Sequence, residues 1–72
     1  MAKNDNTVYR VTEVIGTSAN SWEDAARNAV KTASTSLRDL RIAEVGKLDV
    51  KIEDGKVTQF RARLSLSFKY DA

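Results

Sequence analysis

Seventy-two residues without cysteine or histidine exclude a disulfide framework, a thiolate metal site and the usual imidazole general base. Twelve Lys and Arg against ten Asp and Glu leave a formal charge of +2, too balanced and too scattered to argue for nucleic acid. No apolar run approaches the roughly 20 residues of a membrane span and no signal-peptide core opens the chain, so one cytoplasmic domain is expected.

Met1 to Asn6 are polar and read as a flexible N-terminus, with residues 7–72 as the folded domain. Thr7 to Ile15 is rich in Val, Ile, Tyr and Thr, which predicts a strand. A turn containing Gly16 is expected to lead from it to a helix. Ser21 is placed to cap that helix, and Asp24 stands where a capping-box acid stands, although Glu or Gln is usual there. Glu23 and Asp24 also put negative charge in the first turn, where the helix dipole favours it. From Trp22 the apolar positions Ala25, Ala26, Ala29, Val30, Ala33 and Leu37 trace one stripe of a helix of about 16 residues. The stripe is mostly alanine, so the helix can lie close to whatever it covers. Trp22 at its start reads as packing.

Two long strand-like runs follow, Leu40 to Ile52 and Val57 to Tyr70, joined through Glu53-Asp54-Gly55-Lys56. A two-residue Asp-Gly turn pairing Ile52 with Val57 would set Leu48 and Val50 beside Gln59 and Arg61. A three-residue loop with Gly55 left-handed, pairing Ile52 with Lys56, sets them instead with Phe60, Ala62, Leu64, Leu66 and Phe68. A one-residue slip flips every side chain, so the apolar pattern favours the three-residue loop. Alternation in the first of these runs breaks near Gly46. A bulge there would bring Ala43 and Val45 inward and place Ile42 and Glu44 on the side of Arg61 and Arg63.

A helix of that length reaches about 24 Å and a 13-residue strand about 43 Å, so the helix cannot cover the sheet. Ordering this many residues costs on the order of 100 kcal/mol, which so small a core barely offsets. The sheet ending in Leu64, Leu66, Phe68 and Tyr70 therefore calls for further copies of the chain.

No catalytic constellation is evident, because the many hydroxyls have neither His nor Cys beside them, and the chain reads as a non-enzyme. Glu13, Glu44 and Asp49 lack EF-hand spacing, yet symmetry could bring such carboxylates around a hard cation. Gln59, Arg61, Arg63, Ser65, Ser67 and Lys69 alternate along the last strand as a polar, basic face, either solvated or facing an anion. Its aromatics Phe60, Phe68 and Tyr70 fall on the opposite side, which counts against single-stranded RNA.

The run Gly16-Thr17-Ser18, then Ser21-Trp22-Glu23-Asp24-Ala25-Ala26, resembles the signature of the dodecins, small hollow-shell proteins known for sequestering flavin. The resemblance extends from Val8 to Lys69, through Val8-Tyr9-Arg10-Val11, Leu40-Arg41-Ile42-Ala43-Glu44-Val45, Glu53-Asp54-Gly55-Lys56-Val57 and Ser67-Phe68-Lys69. It implies an α+β fold, a single β-α-β-β domain whose three-stranded antiparallel sheet curls around one helix. It also implies assembly of twelve copies into a hollow homododecamer that binds a small molecule; the charge balance and hydropathy noted above argue against nucleic acid and membrane as partners.

Flavin-binding dodecins usually carry a tryptophan that stacks on the isoalloxazine where this chain has Ile42. They usually carry a glutamine that hydrogen-bonds the ring where it has Arg61. An aliphatic side chain cannot replace the aromatic stacking term, worth about 0.5–1.5 kcal/mol beyond area burial. The same two substitutions resemble the flavin-less branch called calcium dodecin. By resemblance the ligand pocket comprises Ile42, Glu44, Arg61 and Arg63; the metal candidates remain Glu13, Glu44 and Asp49, read from their carboxylates alone. Function then reads as small-ligand binding or storage with an altered flavin pocket and calcium or another hard cation as ligand. Sequestration of FMN or riboflavin, and a cargo-free structural shell, are the alternatives.

Overall fold

The computed structural model describes residues 7–69. Strand β1 (Tyr9–Ser18) leads into helix α1 (Trp22–Ala33), and strands β2 (Leu40–Glu53) and β3 (Lys56–Lys69) complete the β-α-β-β order. The sheet is antiparallel in the order β1-β3-β2, so the last strand lies in the middle. The stretch called the flexible N-terminus, and Tyr70 at the other end, lie outside the described residues.

Helix α1 lies over β1 and β3 and reaches β2 only at its edge. Its buried face is Ala25, Ala29 and Ala33, packed on Ala62, Leu64 and Leu66 of β3. Small side chains let it approach closely, and Gly16 is the position that this approach dictates. Gly16 is buried within β1 and not part of the turn expected there. A Cβ on it would overlap the Ala25 carbonyl and stand 2.7 Å from the Ala29 Cβ.

The strand-to-helix joint is held by hydroxyls. Ser21 Oγ accepts from the Asp24 amide at 3.0 Å as the N-cap. The carboxylate of Asp24 accepts from Ser18 Oγ at 2.8 Å, where a capping box would have it reach back to the cap amide. Ser18, itself buried, also accepts from the Asn20 amide at 2.9 Å. The helix stops four residues before Leu37, shorter than the stripe predicts. There Ser34, Thr35 and Ser36 turn their hydroxyls onto the carbonyls of Lys31, Thr32 and Ala33, an alternative to continued helix.

The β2–β3 turn also differs from expectation. Glu53 pairs with Lys56 and Ile52 with Val57 across a two-residue Asp54-Gly55 turn. Both central residues have positive φ, 52° and 75°, as a type I′ turn requires. The apolar faces still meet, because the register shifts between Lys51 and Ile52 and leaves Thr58 without an opposing residue in the ladder, its Oγ1 donating to the Lys51 carbonyl at 3.4 Å. Val50 then opposes Phe60 and Leu48 opposes Ala62. A second shift at Gly46 puts Val45 opposite Leu64 and Ala43 opposite Leu66, as the broken alternation predicts.

The molecule measures 54 × 20 × 18 Å, and its radius of gyration of 15.0 Å exceeds the about 11 Å of a compact chain this long. A 12-residue helix spans about 18 Å against about 46 Å for a 14-residue strand. Val45 and Leu48 beside the helix start, and Ile52 and Val57 next to the hairpin turn, lie exposed, and Leu64 and Leu66 are the only large side chains fully buried among the described residues. No helix is long and apolar enough to cross a membrane.

Candidate ligand-binding face

The pairing registers lay out the sheet face opposite α1 as rows running across β1, β3 and β2. They are Val11–Ser67–Ile42, Glu13–Ser65–Glu44, Ile15–Arg63–Lys47 and Thr17–Arg61–Asp49. Ile42, Glu44, Arg61 and Arg63 therefore share this face, as the bulge at Gly46 predicts. They do not all converge. Ile42 and Arg61 stand six residues apart along β3, about 20 Å, so a single small pocket using both has to draw them from different subunits.

Ile42 is 57% exposed, and its row neighbours Val11 and Ser67 offer no ring. Tyr9 is the one aromatic side chain on this face among the described residues, and it stands across the sheet on β1, two strand spacings or about 10 Å away laterally. Ile42 also lines a small recess of about 120 Å³ with Val30, Leu40, Arg41, Ala43 and Leu66. Arg63 lines a separate open recess with Glu13, Val14 and Ile15.

Arg61 and Asp49 face each other across the strand pair as an ion pair. Arg61 Nε donates to Asp49 Oδ1 at 2.7 Å and Nη2 to Oδ2 at 3.1 Å. The hydrogen-bonded guanidinium holds the Asp49 carboxyl below its ordinary range against some desolvation, and the charges of Arg61 and Arg63 add to the effect. Arg61 is raised in turn, chiefly by its hydrogen bonds to Asp49. Both oxygens of Asp49 are thus engaged, which sets it apart from the other two metal candidates. Glu13 accepts a long 3.5 Å bond from Ser65 Oγ, and Glu44 opposes the same serine on its other side. No group of three acidic side chains that could hold a metal ion is present among the described residues of one chain.

The packing of Trp22 follows its place on the stripe, but its partners were not legible from sequence. Trp22 packs edge-on against Phe60, with ring centroids 5.1 Å apart, and its indole Nε1 donates to the Asp49 carbonyl at 3.0 Å. The helix start therefore fixes the backbone of the residue that holds Arg61. Trp22 also borders an apolar groove of about 280 Å³ with Glu23, Ala26, Val45 and Leu48.

The dodecin family model matches residues 8–71 of the chain. A calcium dodecin of Mycobacterium tuberculosis is 45% identical over 64 residues, spanning 88% of this chain and 89% of that protein. The solved structure of dodecin from Streptomyces coelicolor is 43% identical, with a TM-score of 0.89 over 96% of this chain and 99% of the other. The crystal structure of the M. tuberculosis calcium dodecin, described as a calcium chelating immunodominant antigen with a novel calcium-binding site, is 43% identical. It superposes with a TM-score of 0.79 over 89% of this chain and 91% of its own.

Proposed function

The chain belongs to the dodecin family, and we propose that it acts as a cytoplasmic, non-enzymatic homododecamer that binds and stores a small ligand through a flavin site altered at Ile42 and Arg61. Calcium is the ligand that one relative supports, since a protein 45% identical is a calcium dodecin. One observation carries the altered-site reading. Ile42 is exposed on the ligand-binding face, in a row with Val11 and Ser67, where a flavin would need an aromatic surface. Glu13 and Glu44, aligned on one row, are the carboxylates that copies of the chain could gather around a hard cation, while Asp49 is engaged by Arg61.

Riboflavin and FMN titrations followed by flavin fluorescence test the reading. The protein is expected to quench neither stoichiometrically. Ile42→Trp combined with Arg61→Gln is expected to gain tight quenching, because Trp supplies the stacking surface and Gln offers both a donor and an acceptor. Stoichiometric quenching by the unmodified protein would overturn the assignment of position 42. Equilibrium dialysis against calcium is the second arm. Bound calcium that falls on Glu13→Gln or Glu44→Gln supports the cation reading, and no retained calcium favours a shell without that cargo.

A further inference from the structure

We propose that Asp49 is the selectivity gate of the ligand-binding face: by holding Arg61 it keeps the cations Arg61, Arg63 and Lys47 from accepting phosphate-bearing ligands. The inference rests on the reading that this face meets the ligand, and it adds which ligand chemistry the face rejects and which residue decides it.

Three observations carry it. Arg61 spends Nε and Nη2 on the two oxygens of Asp49, the same two-pronged geometry by which a guanidinium grips a phosphate. An oxyanion reaches that fork only by displacing a carboxylate already seated in it. Secondly, Arg63 lies two residues from Arg61 on the same face, about 7 Å along the strand, with Lys47 directly opposite. In the two rows Thr17–Arg61–Asp49 and Ile15–Arg63–Lys47, Asp49 is the one carboxylate, so its loss leaves three cations there. Glu13 and Glu44 occupy the next row and bound the patch. Thirdly, the gate has a fixed hinge. The Asp49 carbonyl accepts from Trp22 Nε1, so its side chain starts from a backbone tied to the helix.

The experiment compares the unmodified protein with Asp49→Asn, Arg61→Gln and the double variant Asp49→Asn/Arg61→Gln. Inorganic pyrophosphate is titrated by calorimetry at low salt, with emission of Trp22, the only tryptophan in the chain, as a second readout. Pyrophosphate has no ring, so its binding does not depend on whether the protein stores flavin, a cation or nothing. Asp49→Asn is expected to bind it roughly tenfold more tightly than the unmodified protein, and the double variant to lose that gain. FMN against riboflavin forms the ester arm, because the pair differ by one phosphate. A gain for FMN alone assigns the gate to phosphate esters, and a gain for pyrophosphate alone assigns it to free phosphates. Equal binding by the unmodified protein and Asp49→Asn for both probes overturns the proposal. So does a gain that survives Arg61→Gln. Asp49→Ser removes the same charge with a different side chain and repeats the comparison should Asp49→Asn not fold.

Discussion

Gly16→Ala adds one methyl group at the place where the helix presses hardest on the sheet. The new Cβ would stand 2.7 Å from the Ala29 Cβ and overlap the Ala25 carbonyl oxygen. Carbon atoms prefer about 3.5–4.0 Å, so Ala29 alone has to retreat by about 1 Å, and the Ala25 backbone by more. Neither atom is the end of a flexible side chain, so the whole first half of α1 must lift. Lifting it loosens Ala25, Ala29 and Ala33 against Ala62, Leu64 and Leu66, which are all the buried hydrophobic residues described. Overpacking of this kind costs about 1–3 kcal/mol. For a chain this short that corresponds to a fall in Tm of roughly 5 to 20 °C. Thermal unfolding by circular dichroism at one fixed protein concentration measures it, since the Tm of an oligomer depends on concentration. Ala29→Gly in the same molecule should restore little, because the Ala25 carbonyl remains in the way. A Gly16→Ala protein melting within about 2 °C of the parent would refute the close approach of helix and strand, as such a shift is under about 0.5 kcal/mol.

Gly46→Ala should behave oppositely and shift stability by no more than about 0.5 kcal/mol, because its Cβ would meet only the Arg63 carbonyl at 3.6 Å; the same melts decide it. Ser21→Ala removes the acceptor of the Asp24 amide and should cost about 1 kcal/mol, read as a lower Tm and an earlier loss of helical signal. The ion pair adds a pH dependence of known sign. Asp49 has a folded pKa below its ordinary 3.8, so its contribution is present above that value and is lost as pH falls through the folded one. The Tm difference between the parent and Asp49→Asn should accordingly stay constant from neutrality to about pH 5 and shrink below pH 3.8. A difference that grows in acid would contradict the pairing.

Patterns that repeat along the chain were legible in the sequence, and contacts that arise only in three dimensions were not. The alanine stripe of α1 and the fault at Gly46 both disturb or maintain a period, and both stand in the structure as read. Which sheet face each residue takes was also legible, since Leu48 and Val50 do share a face with Phe60 and Ala62. How the chain achieves this was not. Parity demands one extra residue in the hairpin, and a three-residue loop or a two-residue turn with Thr58 bulged supplies it equally well. That ambiguity hid the ion pair. With Ile52 opposite Lys56, Asp49 would face Gln59, and only the true register sets it against Arg61. Gly16 reads as turn punctuation at a strand end, because nothing local reveals the helix above it. Likewise, no periodicity announces that Trp22 will reach Asp49, 27 residues away.

The central claim is that this sheet is one part of a closed shell, since its apolar surface outruns α1, the one helix among the described residues. Light scattering coupled to size exclusion at low micromolar concentration tests it most directly. Twelve subunits of 8.0 kDa predict a single species near 96 kDa that persists on dilution. A monodisperse species of 8.0 kDa would contradict the account.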